Sequence, residues 1–356
     1  MSIKQKIQNM LPSYRSKDAI MDELYNIHSK IDKLDRNIKD LDVKNEYLFY
    51  CLQHLDSETE LETKKRVYLN MPKASGQIRD FQIVANYILR KVKKICEESE
   101  IAFSISGGTL LGAIRHAGFI PWDDDVDICV IHEDYYRLEE AVNRDEELVM
   151  RRYYRYLEEG TKASYVTKIK LRSSDLFFID VFPRNIIIDQ HKNVDDVWRE
   201  IQEKERQFKE ELNIVFSDNR FEHIPDDKRP RHSSILDQPI EQLEKKYQNY
   251  FSERNKKRKG VQYCCLGIET DHSFFKKEML NPSCIYLPFR KNMCEFEGDQ
   301  YPCFNDWNKW LELWFGNYWS LPQSVNQVHS SELKHFSAED YKIVEKIKRL
   351  YGLDNL

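Results

Sequence analysis

The clearest hydrophobic pattern in the chain is a run of apolar residues spaced alternately four and three apart between residues 18 and 56. This heptad spacing predicts a long helix that pairs with a second helix along one seam. The a positions are Leu24, Ile31, Ile38, Asn45 and Leu52. The d positions are Ile20, Ile27, Leu34, Leu41, Leu48 and Leu55. Isoleucine at a, mostly leucine at d and one asparagine at a favour a parallel coiled-coil homodimer. The alternative is an amphipathic helix that lies on its own domain.

Beyond this segment, helical stripes and strand-like alternation follow one another. Helices are predicted near residues 77–98, 109–116, 135–143, 194–212, 240–258 and 338–351. Strands are predicted near residues 101–105, 125–131, 148–153, 165–171, 177–182 and 262–268. Such mixing is typical of an α/β or α+β domain whose sheet is flanked by helices.

These patterns divide the chain into five parts. A short amphipathic segment (1–17) precedes the coiled-coil helix (18–56), and a charged connector (57–76) follows it. We expect a catalytic domain over 77–335, with a charged helical insertion at about 190–260, and a C-terminal helix over 336–356.

Composition narrows the class of protein. Of the 356 residues, 41% are hydrophobic and 32% charged, and the formal net charge is −5. This balance argues against a nucleic-acid partner, which a basic surface would hold. No run of 18 apolar residues and no signal-peptide core is present, so we expect a cytoplasmic protein. The basic segment 1–17 is interpreted as a short packed helix, and contact with the inner face of the membrane is the other option.

A glycine pair followed by a dense run of acids carries the strongest chemical signal. The glycines are Gly107 and Gly108, and the acids are Asp123, Asp124, Asp125 and Asp127. On an extended strand, Asp123, Asp125 and Asp127 project from one edge and repel one another unless a cation lies among them. Carboxylate oxygens suit Mg²⁺ or Mn²⁺. The alternatives are a solvated acidic turn and a Ca²⁺ loop, although the EF-hand pattern is absent.

A further acid, Asp180, has apolar neighbours on both sides in a predicted strand. A buried lone carboxylate is costly unless it is paired or bound to a cation, so Asp180 is either a further metal-site acid or a salt-bridged core residue. Neither a dinucleotide-binding glycine motif nor a P-loop occurs. The candidate diphosphate-clamping residues are Arg115, His116, Lys168, Lys170 and Arg172. Each of them can equally be a solvent-facing charge or, for the histidine, a structural hydrogen bonder.

The run GGTLLGAIRHAGFIPWDDDVDI, residues 107–128, closely resembles the signature of LicD-type phosphotransferases, a family that includes fukutin-related ribitol-phosphate transferases. Three later segments are also similar to that family: residues 168–172 (KIKLR), 179–183 (IDVFP) and 315–322 (FGNYWSLP). The resemblance covers about residues 78–322, and the heptad segment lies outside it.

The resemblance implies a nucleotidyltransferase-type mixed sheet and a CDP-activated donor. The implied enzyme moves a phospho-alcohol, usually phosphocholine, onto a hydroxyl of a glycan or lipid-linked oligosaccharide, such as lipopolysaccharide, capsule or teichoic acid, and releases CMP. By position, Asp125 and Asp127 would hold Mg²⁺ with Asp123 as a further ligand, and Asp180 would be the third ligand or the base. Gly107, Gly108 and Thr109 would face the diphosphate.

Several alternatives stay open at this point. CDP-ethanolamine, CDP-glycerol, CDP-ribitol and CDP-aminoethylphosphonate fit the same pattern as CDP-choline. A nucleotidyltransferase that attacks a nucleoside triphosphate would release pyrophosphate instead of CMP. A protein of another class, a coiled-coil scaffold without catalysis, is the third option, and the clustered carboxylates argue against it.

Overall fold

The computed structural model describes residues 30, 41, 45, 48–50, 52–155, 164–189, 194–219, 234–267, 280–282, 287, 289, 291–320 and 336–352. The chain divides into two units, Met1–Val67 with Trp319–Ser324, and Tyr68–Tyr318 with Val325–Leu356. Across the described residues, no helix is both long and apolar enough to cross a bilayer.

The larger unit is built on a mixed sheet, as the sequence predicted. Its strands are β1 (Phe103–Ile105), β2 (Asp127–Ile131), β3 (Leu148–Arg155), β4 (Ser164–Leu171), β5 (Phe178–Asp189), β6 (Val261–Leu266) and β7 (Asn281–Pro282). The order is β1-β2-β5-β4-β3, and the far half of β5 pairs with β6, which pairs with β7. β2 and β5 run parallel, whereas the other pairs are antiparallel. A separate hairpin joins β8 (Asn292–Phe296) to β9 (Asp299–Cys303).

Eight helices are described. They are α1 (Glu60–Leu69), α2 (Gly76–Glu98), α3 (Gly107–His116), α4 (His132–Asn143), α5 (Val194–Asp218), α6 (Ser234–Lys256), α7 (Trp307–Phe315) and α8 (Ala338–Leu350). The stripe in α2 is buried completely at Val84, Ile88 and Val92, and this helix packs against α4, α8 and β5. α8 begins with a capping box formed by Ser337 and Asp340. Such reciprocal bonds satisfy two backbone donors that a helix start leaves open.

The charged insertion packs on the sheet. α5 and α6 lie against each other, and their apolar residues Phe208, Leu212, Phe216 and Ile240 join the hydrophobic core at β5 and β6. On β4 the Thr167 hydroxyl meets Tyr135 of α4 at 2.7 Å. Neighbouring strand residues point to opposite faces of a sheet. Lys168, the next residue along β4, therefore lies on the face that α4 does not cover.

Several features of the structure differ from the sequence prediction. The segment 57–76, predicted as a connector, contains helix α1. Strand β2 begins at Asp127, so Asp123 and Asp125 lie in the loop before it and not on an extended strand. The hairpin β8–β9 was not predicted, because its strands are short and little in them alternates clearly. The helix expected over residues 109–116 begins two residues earlier, so the glycine pair forms its first turn instead of a preceding loop. Gly107 has a φ of +54°, a conformation that glycine adopts without a steric penalty.

The predicted coiled coil lies mostly outside the described residues. Where the smaller unit is described, the heptad segment is helical as far as Gln53. Four predicted seam residues in it are more than half exposed, and they are Leu41, Leu48, Leu52 and Leu55.

Candidate active site

The two parallel strands bring two acids side by side. Asp127 begins β2, and its register partner on β5 is Asp180. The backbone N–H of Asp180 donates to the carbonyl of Val126 at 2.7 Å, and the N–H of Asp127 donates to the Thr109 hydroxyl at 2.8 Å. Thr109, expected at the diphosphate, therefore fixes the backbone of an acid.

The glycine pair lies directly on the acids. A Cβ at Gly107 would overlap the Asp127 carboxylate, and a Cβ at Gly108 would lie 2.6 Å from Oδ2 of Asp123. The first turn of α3 contains no acidic residue of its own, and Ser106 provides no side-chain cap. Since a helix start favours negative charge, this close approach stabilises carboxylates that otherwise repel. Any side chain larger than hydrogen would separate α3 from the acids.

Burial and mutual repulsion act together on these acids. Burial first, and then the charges of Asp125 and Asp124, raise the pKa of Asp123 well above its ordinary value. Burial and the charges of Asp125, Asp180 and Asp123 do the same to the pKa of Asp127. A divalent cation would stabilise the ionised form of these carboxylates, which burial and mutual repulsion disfavour.

The oxygen-only donor set and the glycine cradle fit a hard divalent ion. Across the part of the chain that the structure describes, no three His, Cys, Asp or Glu side chains yet surround a single point as a finished metal site. Asp123, Asp125, Asp127 and Asp180 nevertheless offer the oxygen donors that such an ion prefers.

Lys168 is the cation nearest to Asp180. Its Nζ lies 2.9 Å from Asp180 Oδ1 and 3.2 Å from the ring centre of Phe178. Burial raises the pKa of Asp180, and the charge and hydrogen bond of Lys168 oppose that rise. The Lys168 amino group thus lies beside Asp180 on the same face of the sheet.

The other basic candidates lie farther along β4. Lys170 pairs with Asp175, and Arg172 donates to the carbonyls of Asn143 and Asp145 at 2.8 and 3.2 Å. Arg172 is four residues beyond Lys168, about 13 Å along an extended strand. The structure thus brings Lys168 to the acids and leaves Arg172 at the far end of the sheet.

Arg115 and His116 lie at the opposite end of α3 from the glycines. The Arg115 guanidinium stacks 3.7 Å from the ring centre of Tyr68 and donates to the Tyr318 carbonyl at 3.2 Å. Burial, followed by the charge of Arg115, lowers the pKa of His116 to about 3. Eight residues of helix separate Arg115 from Gly107, about 12 Å. The structure therefore does not bring these two residues to the glycine pair.

Two polar residues that sequence reasoning did not single out contact the segment between α3 and β2, residues 117–126, which we name the acid loop. They are Gln82 of α2 and Glu297 of the β8–β9 turn. The Glu297-Gly298 turn pair was a weak signal for the hairpin, and no local pattern indicates Gln82.

A mixed sheet whose neighbouring strands carry acids beside a glycine-led helix defines a domain of the nucleotidyltransferase class. Comparison with known families gives the particular one: residues 100–223 match the family described as LicD/FKTN/FKRP, nucleotidyltransferase domain. Those residues therefore form a domain of the LicD family.

Individual relatives agree with this assignment. The chain is 28% identical over 264 residues to the lipopolysaccharide cholinephosphotransferase LicD of Haemophilus influenzae, covering 70% of this chain and 94% of the relative. It is 39% identical over 61 residues to the uncharacterized protein RP689 of Rickettsia prowazekii, covering 17% of this chain and 23% of that protein. It is 44% identical over 45 residues to the human ribitol 5-phosphate transferase FKRP, covering 13% of this chain and 9% of that protein. These matches support a transferase of this family.

Proposed function

We propose that this chain transfers a phospho-alcohol from a CDP-activated donor to a hydroxyl of a cell-surface glycan and releases CMP. The observation that carries the proposal is the pairing of Asp127 with Asp180 beside Gly107, inside a LicD-family domain. Phosphocholine is our first choice of group, because the relative that aligns over 264 residues is named a cholinephosphotransferase.

The acids have distinct tasks in this proposal. Asp125 and Asp127, with Asp123 as a further ligand, would hold Mg²⁺ or Mn²⁺, which neutralises charge on the donor diphosphate. Asp180 accepts the proton of the acceptor hydroxyl. The hydroxyl oxygen bonds to the donor phosphorus while the bond between that phosphorus and CMP breaks. Asp180 is largely buried, with 15% of its side chain exposed, and burial raises its pKa, which makes its carboxylate a stronger proton acceptor.

Lys168 supports this assignment electrostatically. Its ammonium group lies beside Asp180, where it can also approach a phosphate oxygen of the donor. A fixed positive charge there stabilises the negative charge that develops on the transferred group. We therefore expect Lys168→Met to lower kcat more than Lys170→Met does, because Lys170 pairs with Asp175 instead.

The role of Asp180 is tested by substitution to asparagine. Asp180→Asn keeps the side-chain shape but removes the proton acceptor, so we expect transfer to fall by at least about 10²-fold. The melting temperature should stay close to that of the unchanged protein. Asp175→Asn is the matched control, since Asp175 lies on the turn before β5 and its side chain is 74% exposed. Normal turnover in Asp180→Asn would contradict the proposed role.

The donor is identified by thermal-shift measurements with a panel of CDP-alcohols and Mg²⁺. A ligand that binds the folded state raises the melting temperature, by an amount that grows with the logarithm of its concentration relative to its Kd. Choline, ethanolamine, glycerol, ribitol and aminoethylphosphonate donors belong in the panel. Product analysis then separates the two reaction classes, because CMP indicates phospho-alcohol transfer and pyrophosphate indicates a nucleotidyltransferase.

We also propose that the heptad segment joins two copies of the chain in parallel. The exposed seam leucines Leu48, Leu52 and Leu55 support this, because a water-exposed apolar seam is stabilised by a second helix. Light scattering of the full chain and of a chain beginning at residue 60 tests the idea. We expect a dimer and a monomer respectively, and a dimer in the shortened chain would show that the seam is not the main contact.

A further inference from the structure

The acid loop is held from outside by two side chains that belong to distant parts of the sequence. Glu297, in the turn between β8 and β9, contacts the start of the loop. Gln82, in the middle of α2, contacts its later part. Neither residue is one of the proposed metal ligands.

Glu297 binds the loop through both its backbone and its carboxylate. Its N–H donates to the carbonyl of Ala117 at 2.9 Å, and its Oε1 accepts from the N–H of Phe119 at 3.3 Å. The other oxygen accepts from Lys73 at 2.9 Å and from Arg79 at 2.8 Å. Only 6% of the side chain is exposed. Burial works to raise the pKa of Glu297, but the bonds and charges of Arg79 and Lys73 hold it below the ordinary value.

Gly118 fits against this carboxylate. A Cβ at Gly118 would lie 2.5 Å from Oε1 of Glu297, and the next two nearest atoms are also in that side chain. On the helix side, a Cβ at Gly112 would overlap the Gly118 carbonyl. The loop therefore passes between α3 and the Glu297 carboxylate with room for hydrogen only.

Gln82 fixes the part of the loop that leads into the acids. Its side chain is completely buried, and its amide nitrogen donates to the carbonyls of Ile120 at 3.3 Å and Asp123 at 2.9 Å. The Asp123 carbonyl is thereby held while the Asp123 carboxylate lies against Gly108. The Ile120 carbonyl also accepts from the backbone N–H of Asp123 at 2.9 Å, so the Gln82 amide joins this already hydrogen-bonded turn to the Asp123 carbonyl beyond it. A buried amide that donates to two loop carbonyls restrains the loop, because its bonds cannot be replaced by water without opening the core.

We infer that Glu297 and Gln82 are positioning residues that set the acid loop in the conformation needed to bind the divalent cation. This inference rests on the proposed function, since it concerns the same acids. Residues outside the ligand set that orient metal ligands typically change metal affinity 10- to 100-fold when they are altered. The hairpin β8–β9 thereby becomes part of the site although it contributes no ligand.

The test combines two substitutions at the Glu297–Gly118 contact in the full chain. Glu297→Ala removes the acceptor of the Phe119 N–H, so we expect that amide to exchange with deuterium faster and Mn²⁺ affinity to fall about 10-fold by calorimetry. Gly118→Ala should have a similar effect, because the new methyl group displaces the carboxylate. In the double variant the new methyl group at position 118 fits in the space left by the shortened residue 297. The loss of Mn²⁺ affinity and the faster exchange should therefore be no larger than in Glu297→Ala alone.

Glu295→Ala is the matched control, because Glu295 lies on the same hairpin with an exposed side chain. It should leave Mn²⁺ affinity and loop exchange unchanged. Gln82→Met, which removes both amide donors, should accelerate exchange over residues 120–123 if the Glu297 variants prove too unstable to measure. The inference is overturned if folded Glu297→Ala or Gly118→Ala protein keeps normal loop exchange, or if the two effects simply add.

Deuterium exchange and calorimetry together separate this inference from the proposed function. If the unchanged protein binds no Mn²⁺, the metal proposal fails, whereas deuterium exchange still reports whether Glu297 and Gln82 hold the loop. If the unchanged protein binds Mn²⁺ and the variants bind it equally well, the proposed function survives and the positioning role is wrong.

Discussion

Two regions of the larger unit contain buried acids, and the pKa of the acid is lowered in one region and raised in the other. Beneath the insertion, Glu244 of α6 is 2% exposed and accepts hydrogen bonds from Arg152, Tyr136 and Tyr165. Burial works to raise the pKa of Glu244, but the charge and bonds of Arg152 keep it below the ordinary value. At the acid loop, carboxylates face other carboxylates, and the pKa values of Asp123 and Asp127 rise.

The contrast separates a structural acid from a functional one. Arg152 also contacts Glu139 at 2.9 Å, so the network under α6 is closed by protein groups and fastens the insertion to the sheet. Beside the acid loop, Lys168 pairs with Asp180, and the charges of neighbouring carboxylates act on Asp123 and Asp127. Buried carboxylates whose pKa values are raised by one another are typical of sites that bind ligands.

The largest effect is expected from Asp127→Asn. The neutral amide removes a proposed metal ligand, so we expect transfer to fall by about 10³-fold or more. The same change should raise the melting temperature of the metal-free protein at pH 7.5, because the raised pKa means that ionised Asp127 costs folding stability above its unfolded pKa. Activity assays and calorimetric melting measure the two effects.

The gain in stability should disappear at pH 3, where the aspartate is protonated in both folded and unfolded states. Mg²⁺ should raise the melting temperature of the unchanged protein and not that of Asp127→Asn. A variant that is less stable than the unchanged metal-free protein at pH 7.5 would mean that Asp127 is a structural acid like Glu244.

The next effect concerns the closed network. Glu244→Gln leaves Arg152 buried with only Glu139 as a charged partner, so we expect a loss of about 3 kcal/mol in the free energy of unfolding by urea. Glu253→Gln, at an exposed position of the same helix, should change stability by less than about 0.5 kcal/mol. Mn²⁺ affinity should be unaffected in both variants. A strong loss of Mn²⁺ binding in Glu244→Gln would remove the distinction between the two regions.

The smallest effect is expected at a partly exposed acid outside both regions. Hydrogen bonds from Lys91 and then Tyr87 lower the pKa of Glu147 to about 2. Because the folded pKa is depressed, the stabilisation is present above about pH 4.5 and is lost as the pH falls toward 2. Glu147→Gln should therefore destabilise the protein at pH 6 by less than about 1 kcal/mol, and by less still at pH 3. Urea unfolding at both pH values measures this, with the exposed Glu146→Gln as the control.

The sequence indicated the two acid-bearing strands β2 and β5 because their signals are local. The acids at 123–127 and the apolar strand around Asp180 each show their chemistry within a few residues. The mixed sheet followed from the alternation of helix and strand periods, and the family match agrees with the resemblance of residues 107–128.

What the sequence did not indicate depends on contacts between distant segments. Glu297 accepts a hydrogen bond from the N–H of Phe119, which lies 178 positions earlier in the chain, and no periodicity links the two residues. Arg115 lies within the glycine-to-acid run in sequence, but the length of α3 places it against Tyr68 and Tyr318. Proximity along the chain was therefore a poor guide for Arg115, and the pairing of β2 with β5, not proximity, brings Asp180 beside Asp127.

The central claim is that a divalent cation binds among Asp123, Asp125 and Asp127, beside Asp180. The most direct measurement is anomalous diffraction from crystals of the protein grown with Mn²⁺ and a cytidine diphosphate compound. We predict an anomalous peak within coordination distance of Asp125 and Asp127, about 2.2 Å from their oxygens. Crystals that bind the cytidine compound but show no peak beside these carboxylates would contradict the claim.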